Sequence, residues 1–372
     1  MKKNNKSSKN FKFANANVAK LKPYTLITQE AWGIPNKKNV LKLDWNEGVS
    51  PPSPLVQKEI IKFLQSNEPL NWYPILNNDL LISKISEYCE TKTDLIQYYP
   101  SSDNLQEIIV RAFIDSSDEV IIISPTYDNF RSTVQSIGAK INKFYLQGGN
   151  FSFDIDAFKK QFFGKSIKLV YLCNPNNPTG TEFSKEIIID LLKSFKDTLF
   201  LIDEAYYEFT NNTVSDLVED YKNLIITRTF SKAFCLAGYR LGYSITSPDL
   251  IYIMNKIRNP KNIPTLSQVA LLAALNDITY MRKYVEEILH SKNYLIKKLQ
   301  DMGLGVLYGG GNYLSIKIPV NSSSELIKLF KSNYIYVRDY SHVPRMEGYI
   351  RITIGKKQDM DKVVDVLKSF LS

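Results

Sequence analysis

From about residue 100 onward, short runs of β-branched and aliphatic residues alternate with segments whose apolar positions recur every three to four residues. EVIIIS (119–124), KLVYLC (168–173), LFLID (199–203), NLIITR (223–228) and RLGYSIT (240–246) contain few polar interruptions. Runs of that kind fit strands covered on both faces. Helical patterns over 104–115, 127–137 and 184–196 supply the covers. Strands alternating with helices predict a mostly parallel sheet, so the middle of the chain reads as a doubly wound α/β domain.

The pattern then changes. A long helical region over roughly 265–300 is followed by strands at 312–318, 335–338 and 348–354, with helices near 322–331 and 357–371. This predicts a second, smaller α+β domain, joined by the segment near the N-terminus. The expected organisation is a basic flexible arm over 1–22, a segment over 23–52 that joins the small domain or a partner subunit, a large domain over 53–265, and a long helix with the small domain over 266–372. A length of 372 residues suits two cores better than one.

Composition narrows the function classes. With 44% hydrophobic and 23% charged residues, and no apolar run near the roughly 20 residues of a membrane span, a soluble protein is expected. The first 22 residues hold seven lysines and no acid but lack the apolar stretch of a secretory signal. The formal charge of +9 is dispersed, without the dense stripe or motif of a nucleic-acid binder. Cys89, Cys173 and Cys235 are odd in number, widely spaced and without neighbouring His. They support neither a disulfide framework nor a metal site, and suggest a reducing, cytoplasmic setting.

Three local signals carry chemistry. In TRTFSKAFCLAGYRLGY (227–243) a strand runs into Ser231-Lys232, and Arg240 follows eight positions after the lysine. A lysine amine reacts with an aldehyde only when unprotonated, and burial near a cation lowers its pKa towards that state. LIDEAYYEF (201–209) puts Asp203 at the C-terminal end of an apolar strand, where open α/β sheets bind ligands. An ionised carboxylate there can keep a pyridinium ring protonated. In LCNPNNPTG (172–180) two Asn-Pro steps make a rigid turn able to aim Asn177 into the same crevice, where an amide can hydrogen-bond a ring hydroxyl. Singly, each has a bland explanation: a surface lysine, a helix cap, a turn.

Taken in order, NPNNPTG, DEAY and SKAF with its following arginine resemble the fold-type-I pyridoxal-phosphate aminotransferases. Asn177 and Asp203 stand 26 positions apart, and Asp203 and Lys232 stand 29 apart, as in the histidinol-phosphate aminotransferase branch. The resemblance implies that Lys232 carries pyridoxal 5'-phosphate as a Schiff base and that Asp203 faces the ring nitrogen. It implies that Ser102 and Asp103, opening a helix in SSDNLQEIIVRAF (101–113), bind the phosphate with Ser231 and Arg240, because a helix N-terminus suits an anion. Here Ser101 and Asn104 replace the family's usual Gly and Glu. Tyr127 is expected to stack on the ring, and Tyr206 to reach the ring hydroxyl. Tyr73, in NWYPILNN (71–78), is expected to reach the phosphate of a neighbouring subunit, which implies a homodimer.

The resemblance also implies a substrate side: Arg351 in GYIRITIG (348–355) as the clamp for a substrate carboxylate, Arg338 in IYVRDYS (335–341), Tyr24 in LKPYTL (21–26), and Asn46. Glu47 adjoins Asn46 in LDWNEGVSPPSP (43–54), which replaces the family's Asn-Glu-Asn-Pro-Tyr. The implied activity is transamination from an amino acid, with glutamate the expected donor, to a small phosphorylated ketone. Two alternatives stay open: decarboxylation of an O-phosphorylated amino acid with the same lysine and aspartate, and a non-catalytic binding protein of the same fold.

Overall fold

The computed structural model describes residues 13–21 and 30–372 of the chain. After a two-residue strand β1 (Leu41–Lys42), seven strands build the main sheet: β2 (Ile96–Tyr99), β3 (Glu119–Ser124), β4 (Lys140–Tyr145), β5 (Leu169–Cys173), β6 (Leu199–Asp203), β7 (Leu224–Thr229) and β8 (Gly242–Thr246). Their spatial order is β2-β8-β7-β6-β5-β3-β4. From β4 to β7 all pairs are parallel, while β8 runs antiparallel between β7 and β2.

The apolar runs follow from burial on both faces. In β5, Val170 and Leu172 join the core on one side, and Leu169, Tyr171 and Cys173 the core on the other. Each large apolar side chain buried in this way contributes about 1.5–3 kcal/mol. Helices Ser101–Phe113, Asn129–Ile137 and Lys185–Ser194 lie in the stretches read as covers, the first beginning three residues earlier than its pattern indicates. Ser101 adopts φ 79, so the turn into that helix starts at once from the end of β2.

A second sheet of four antiparallel strands has the order β12-β13-β10-β9, with β9 (Gly305–Leu307), β10 (Tyr313–Lys317), β12 (Arg338–Asp339) and β13 (Tyr349–Thr353). The run 335–338 is not one strand. Its first half, β11 (Ile335–Tyr336), pairs in parallel with β1, while Arg338 and Asp339 pair with β13. Val337 is the joint. The segment near the N-terminus is therefore tied to this sheet, also by bonds from Leu43 N to Tyr336 O and from Thr353 N to Leu43 O. The helical region over 265–300 is two helices, Thr265–Leu275 and Ile278–Asp301; Asp277 breaks the run by capping the second, accepting from Tyr280 N.

Part of the basic arm is also placed. Asn15 caps a helix over Ala16–Ala19, and Asn17 Nδ2 donates to Ile137 O at the end of the Asn129–Ile137 helix. Among the described residues, no helix is long and apolar enough to cross a membrane.

Candidate active site

Strands β5, β6 and β7 end side by side, and the three sequence signals leave from those ends. Lys232 lies three residues past β7, Asp203 closes β6, and Asn177 sits in the turn after β5. The parallel register puts Cys173 beside Asp203 and Asp203 beside Thr227. A sheet edge of this kind is where open α/β folds bind ligands.

Lys232 Nζ donates to Trp45 O at 2.9 Å. Burial and then the positive Arg351 pull its pKa down to about 8, against the smaller opposing pull of Glu47 and Asp103. The cation with the largest effect on Lys232 is therefore Arg351, from the second sheet, ahead of Lys42, rather than Arg240, the cation close to it in sequence. The segment carrying Trp45 is held by Lys42, which pairs with Asp44 at 2.9 Å and with Glu47, and lies 4.4 Å over the Trp45 ring. Gly48 passes the Lys232 loop so closely that a Cβ there would stand 2.3 Å from Cys235 Sγ.

Asp203 is buried. Burial pushes its carboxyl up to about 6, and the donors Tyr171, Gln106 and Thr227 oppose that rise. Such a group calls for a cationic partner. Tyr206, buried beside it, accepts from Asn46 Nδ2 at 3.0 Å and from Asn177 Nδ2 at 3.2 Å. With both contacts donated to its oxygen, the phenol proton remains for another acceptor. Burial keeps that phenol far above its ordinary range.

Asn177 faces two ways. Its Oδ1 accepts from Arg351 at 2.6 Å and from Tyr340 OH at 3.4 Å. Arg351 also donates to Tyr340 OH at 2.9 Å and to Asp44 O, while its buried Nε has no hydrogen-bond partner among the described residues. Arg338 stands directly across from Arg351 on the neighbouring strand, 5.9 Å from the Tyr340 ring centroid. Asn46, with φ 55, is fixed by two bonds to the Thr353 hydroxyl, one from its backbone N–H at 3.0 Å and one to its Oδ1 at 2.9 Å.

Pro100 occupies the N-cap of the Ser101–Phe113 helix and offers no side-chain acceptor, while Ser101 Oγ accepts from Asn104 N at 3.2 Å. The first-turn N–H groups of a helix suit an anion. Arg240 comes within 3.5 Å of Asp103, and Tyr127 OH donates to Asp103 Oδ1 at 3.2 Å. Ser231 is buried, its Oγ accepting from Thr229 Oγ1 at 3.0 Å. Ser102 sits over Gly242, where a Cβ would come to 2.5 Å from Ser102 N. Only a glycine leaves that cradle room.

The structure thus links Asn46, Tyr206, Asn177 and Arg351 in one hydrogen-bonded set, with Lys232 Nζ 5.8 Å from the Tyr206 ring centroid and Asp203 three positions before Tyr206, and it puts Ser102, Asp103, Tyr127 and Arg240 at the helix start. Tyr73 is not among them: it is 78% exposed, with Lys261 Nζ 4.7 Å from its ring centroid. Tyr24 lies outside the described residues. Sequence reasoning missed Gln106, Tyr171, Thr227, Tyr340, Asp44 and Trp45. Thr227 was discoverable from strand register alone, and Gln106 from its place one turn along the helix from Ser102.

The set suits pyridoxal phosphate in kind: first-turn N–H groups could take the phosphate, a buried acid the ring nitrogen, a phenol the ring hydroxyl, and a buried amine the aldehyde. The chain belongs to the class I and II aminotransferases, a pyridoxal-phosphate-dependent family whose model matches residues 38–367. Among its relatives, a dihydroxyacetone phosphate transaminase of Campylobacter jejuni is 44% identical over 96% of this chain and 97% of its own length. A histidinol-phosphate aminotransferase of Ruminiclostridium cellulolyticum is 32% identical over 88% of this chain and 91% of its own. In fold, the chain is similar to the histidinol-phosphate aminotransferase of Sinorhizobium meliloti, solved in complex with pyridoxal-5'-phosphate, with a TM-score of 0.82, 23% identity, and 94% and 98% of the two chains covered.

Proposed function

We propose that this aminotransferase moves the amino group of glutamate to a small phosphorylated ketone, and that dihydroxyacetone phosphate is the acceptor. In that reaction glutamate becomes 2-oxoglutarate, and the ketone carbon of the acceptor becomes an amine-bearing carbon. The observation that carries the reading is the Arg351 guanidinium, buried, positioned by Asn177 and Tyr340, and with Nε unpaired among the described residues. Arginine is the natural planar partner for a carboxylate or a phosphate. The 44% identical relative is named for dihydroxyacetone phosphate, which supports this acceptor over the imidazole-bearing one of the 32% identical relative.

Pyridoxal phosphate supplies an aldehyde and an electron-accepting ring. Lys232 holds the cofactor through its amine and, with a pKa of about 8, can take and return a proton near neutral pH. Asp203 would keep the ring nitrogen protonated. Tyr206 would donate to the ring hydroxyl, Ser102, Asp103, Ser231 and Arg240 would hold the phosphate, and Tyr127 would support the ring. Arg351 orients the substrate anion, Arg338 adds charge beside it, and Asn46 holds the Tyr206 hydroxyl.

The same reading makes the protein a cytoplasmic homodimer with a cofactor domain over 53–265 and a small domain over 266–372. Leu70, Trp72, Tyr73 and Ile75 form an exposed apolar segment of more than half exposure each, which supports a subunit contact there. Light scattering on the purified protein tests it, and a monomer refutes it.

The decisive experiment on activity incubates the protein with glutamate and either dihydroxyacetone phosphate or imidazole-acetol phosphate and measures 2-oxoglutarate. Release with the first and little with the second is expected. Carbon dioxide from an O-phosphorylated amino acid, with no 2-oxoglutarate from any phosphorylated ketone, refutes the proposal. Borohydride reduction followed by peptide mapping is expected to label Lys232.

A further inference from the structure

Three neutral donors surround the Asp203 carboxylate. Gln106 Nε2 at 2.9 Å and Tyr171 OH at 3.0 Å both reach Oδ2, and Thr227 Oγ1 reaches Oδ1 at 3.2 Å. A carboxylate offers two acceptor positions on each oxygen. Oδ2 is therefore filled, and Oδ1 keeps one position. We infer, resting on the cofactor reading above, that Gln106 and Tyr171 are positioning residues that hold Asp203 ionised and leave Oδ1 as the oxygen presented to the pyridine nitrogen of pyridoxal phosphate.

Both residues are built for this. Gln106 follows Ser102 by four positions on one helix, so the two lie on the same face, and a single rigid element sets the phosphate end and the ring-nitrogen end together. Tyr171 is locked by stacking on Phe130, with ring centroids 4.4 Å apart and planes 15° from parallel. Gln106 Oε1, by contrast, is buried with no hydrogen-bond partner. An orphaned buried acceptor is destabilising. The amide is thus a poor choice for stability, and its donor to Asp203 is what it contributes.

The test uses holoenzymes of the wild type, Gln106→Met and Tyr171→Phe, with three readouts: the pH profile of kcat/KM with glutamate, the thermal midpoint, and dissociation constants for pyridoxal phosphate and for its analogue with carbon in place of the ring nitrogen. Each donor to an ionised acceptor is worth about a factor of ten, or about one pH unit. In each variant the acidic limb of the profile is expected to move up by about one pH unit. Pyridoxal phosphate is expected to bind about tenfold more weakly, and the analogue with unchanged affinity, because it makes no contact through that position. Gln106→Met keeps or raises the thermal midpoint. Equal weakening of both ligands would mean a packing role and would overturn the inference, as would no weakening of either. A wild type that binds both ligands equally overturns the assignment of Asp203 to the ring nitrogen in the cofactor reading itself, and with it the positioning role of Gln106 and Tyr171.

Discussion

Arg228 and Glu204 form a fully buried ion pair directly beneath the site, one residue from Thr227 and Asp203 respectively. Arg228 Nε lies 2.9 Å from Glu204 Oε2, and its NH2 lies 2.8 Å from the same oxygen. Arg228 NH2 also donates to Thr213 Oγ1 at 2.6 Å, and the guanidinium carbon lies 3.6 Å from the Tyr207 ring centroid. Replacing Arg228 by Met keeps much of the volume and strands the carboxylate. Removing one partner of a buried pair costs about 3–5 kcal/mol. Here the low end applies, since Val214 N at 2.9 Å and the Thr213 hydroxyl still serve Glu204. The expected loss is about 3 kcal/mol, roughly a hundredfold in the folding equilibrium. Urea unfolding of Arg228→Met, Glu204→Gln and the double variant measures it. The double variant should recover most of the loss, because no uncompensated charge remains. A loss below about 1 kcal/mol in Arg228→Met, or strictly additive losses, would refute the assignment of the pair as a mutually dependent unit.

Three further expectations concern charge and space. Burial pushes the Glu208 carboxyl up to about 7, so the wild type loses stability as pH rises from about 4.5 through 7; Glu208→Gln escapes that loss, and its advantage in thermal or urea unfolding should grow by roughly 3 kcal/mol over that window and then stay level. Gly242→Ala drives a methyl group into Ser102 N and Arg228 O, an overpacking of about 1–3 kcal/mol that should appear as weaker pyridoxal phosphate binding in a fluorescence titration. Arg351→Lys loses the planar fork, so KM for glutamate should rise about tenfold or more in steady-state assays with the borohydride label at Lys232 retained.

The chemistry of the site was legible where it depends on residue type and spacing. Lys232, Asp203 and Asn177 sit at three neighbouring strand ends, and each strand was marked by an apolar run that needs no partner to be recognised. Arg351 was legible only through family likeness, because an arginine in an alternating strand has no local signal of burial. What stayed hidden depends on which strands become neighbours. β4 escaped notice because KINKFY carries exposed polar positions of an edge strand, and β2 because its antiparallel partner lies some 145 residues away in sequence. Glu204 and Arg228 find each other only through the β6–β7 register, and Gln106 reaches Asp203 only once the helix is laid across the sheet. Asp277 ended one helix and began another by a capping bond that a continuous apolar pattern conceals.

The side chain of Asn177 spans the interval between the Arg351 guanidinium and the Tyr206 phenol, with Arg351 on its oxygen and Tyr206 on its nitrogen. One amide plane cannot tilt towards one neighbour without moving relative to the other. Whatever a bound anion does to Arg351 is therefore transmitted to the phenol, and by reciprocity of linked equilibria whatever the ring does to the phenol returns to the anion. An anion held by Arg351 and a group held by the Tyr206 hydroxyl are consequently coupled through a single asparagine.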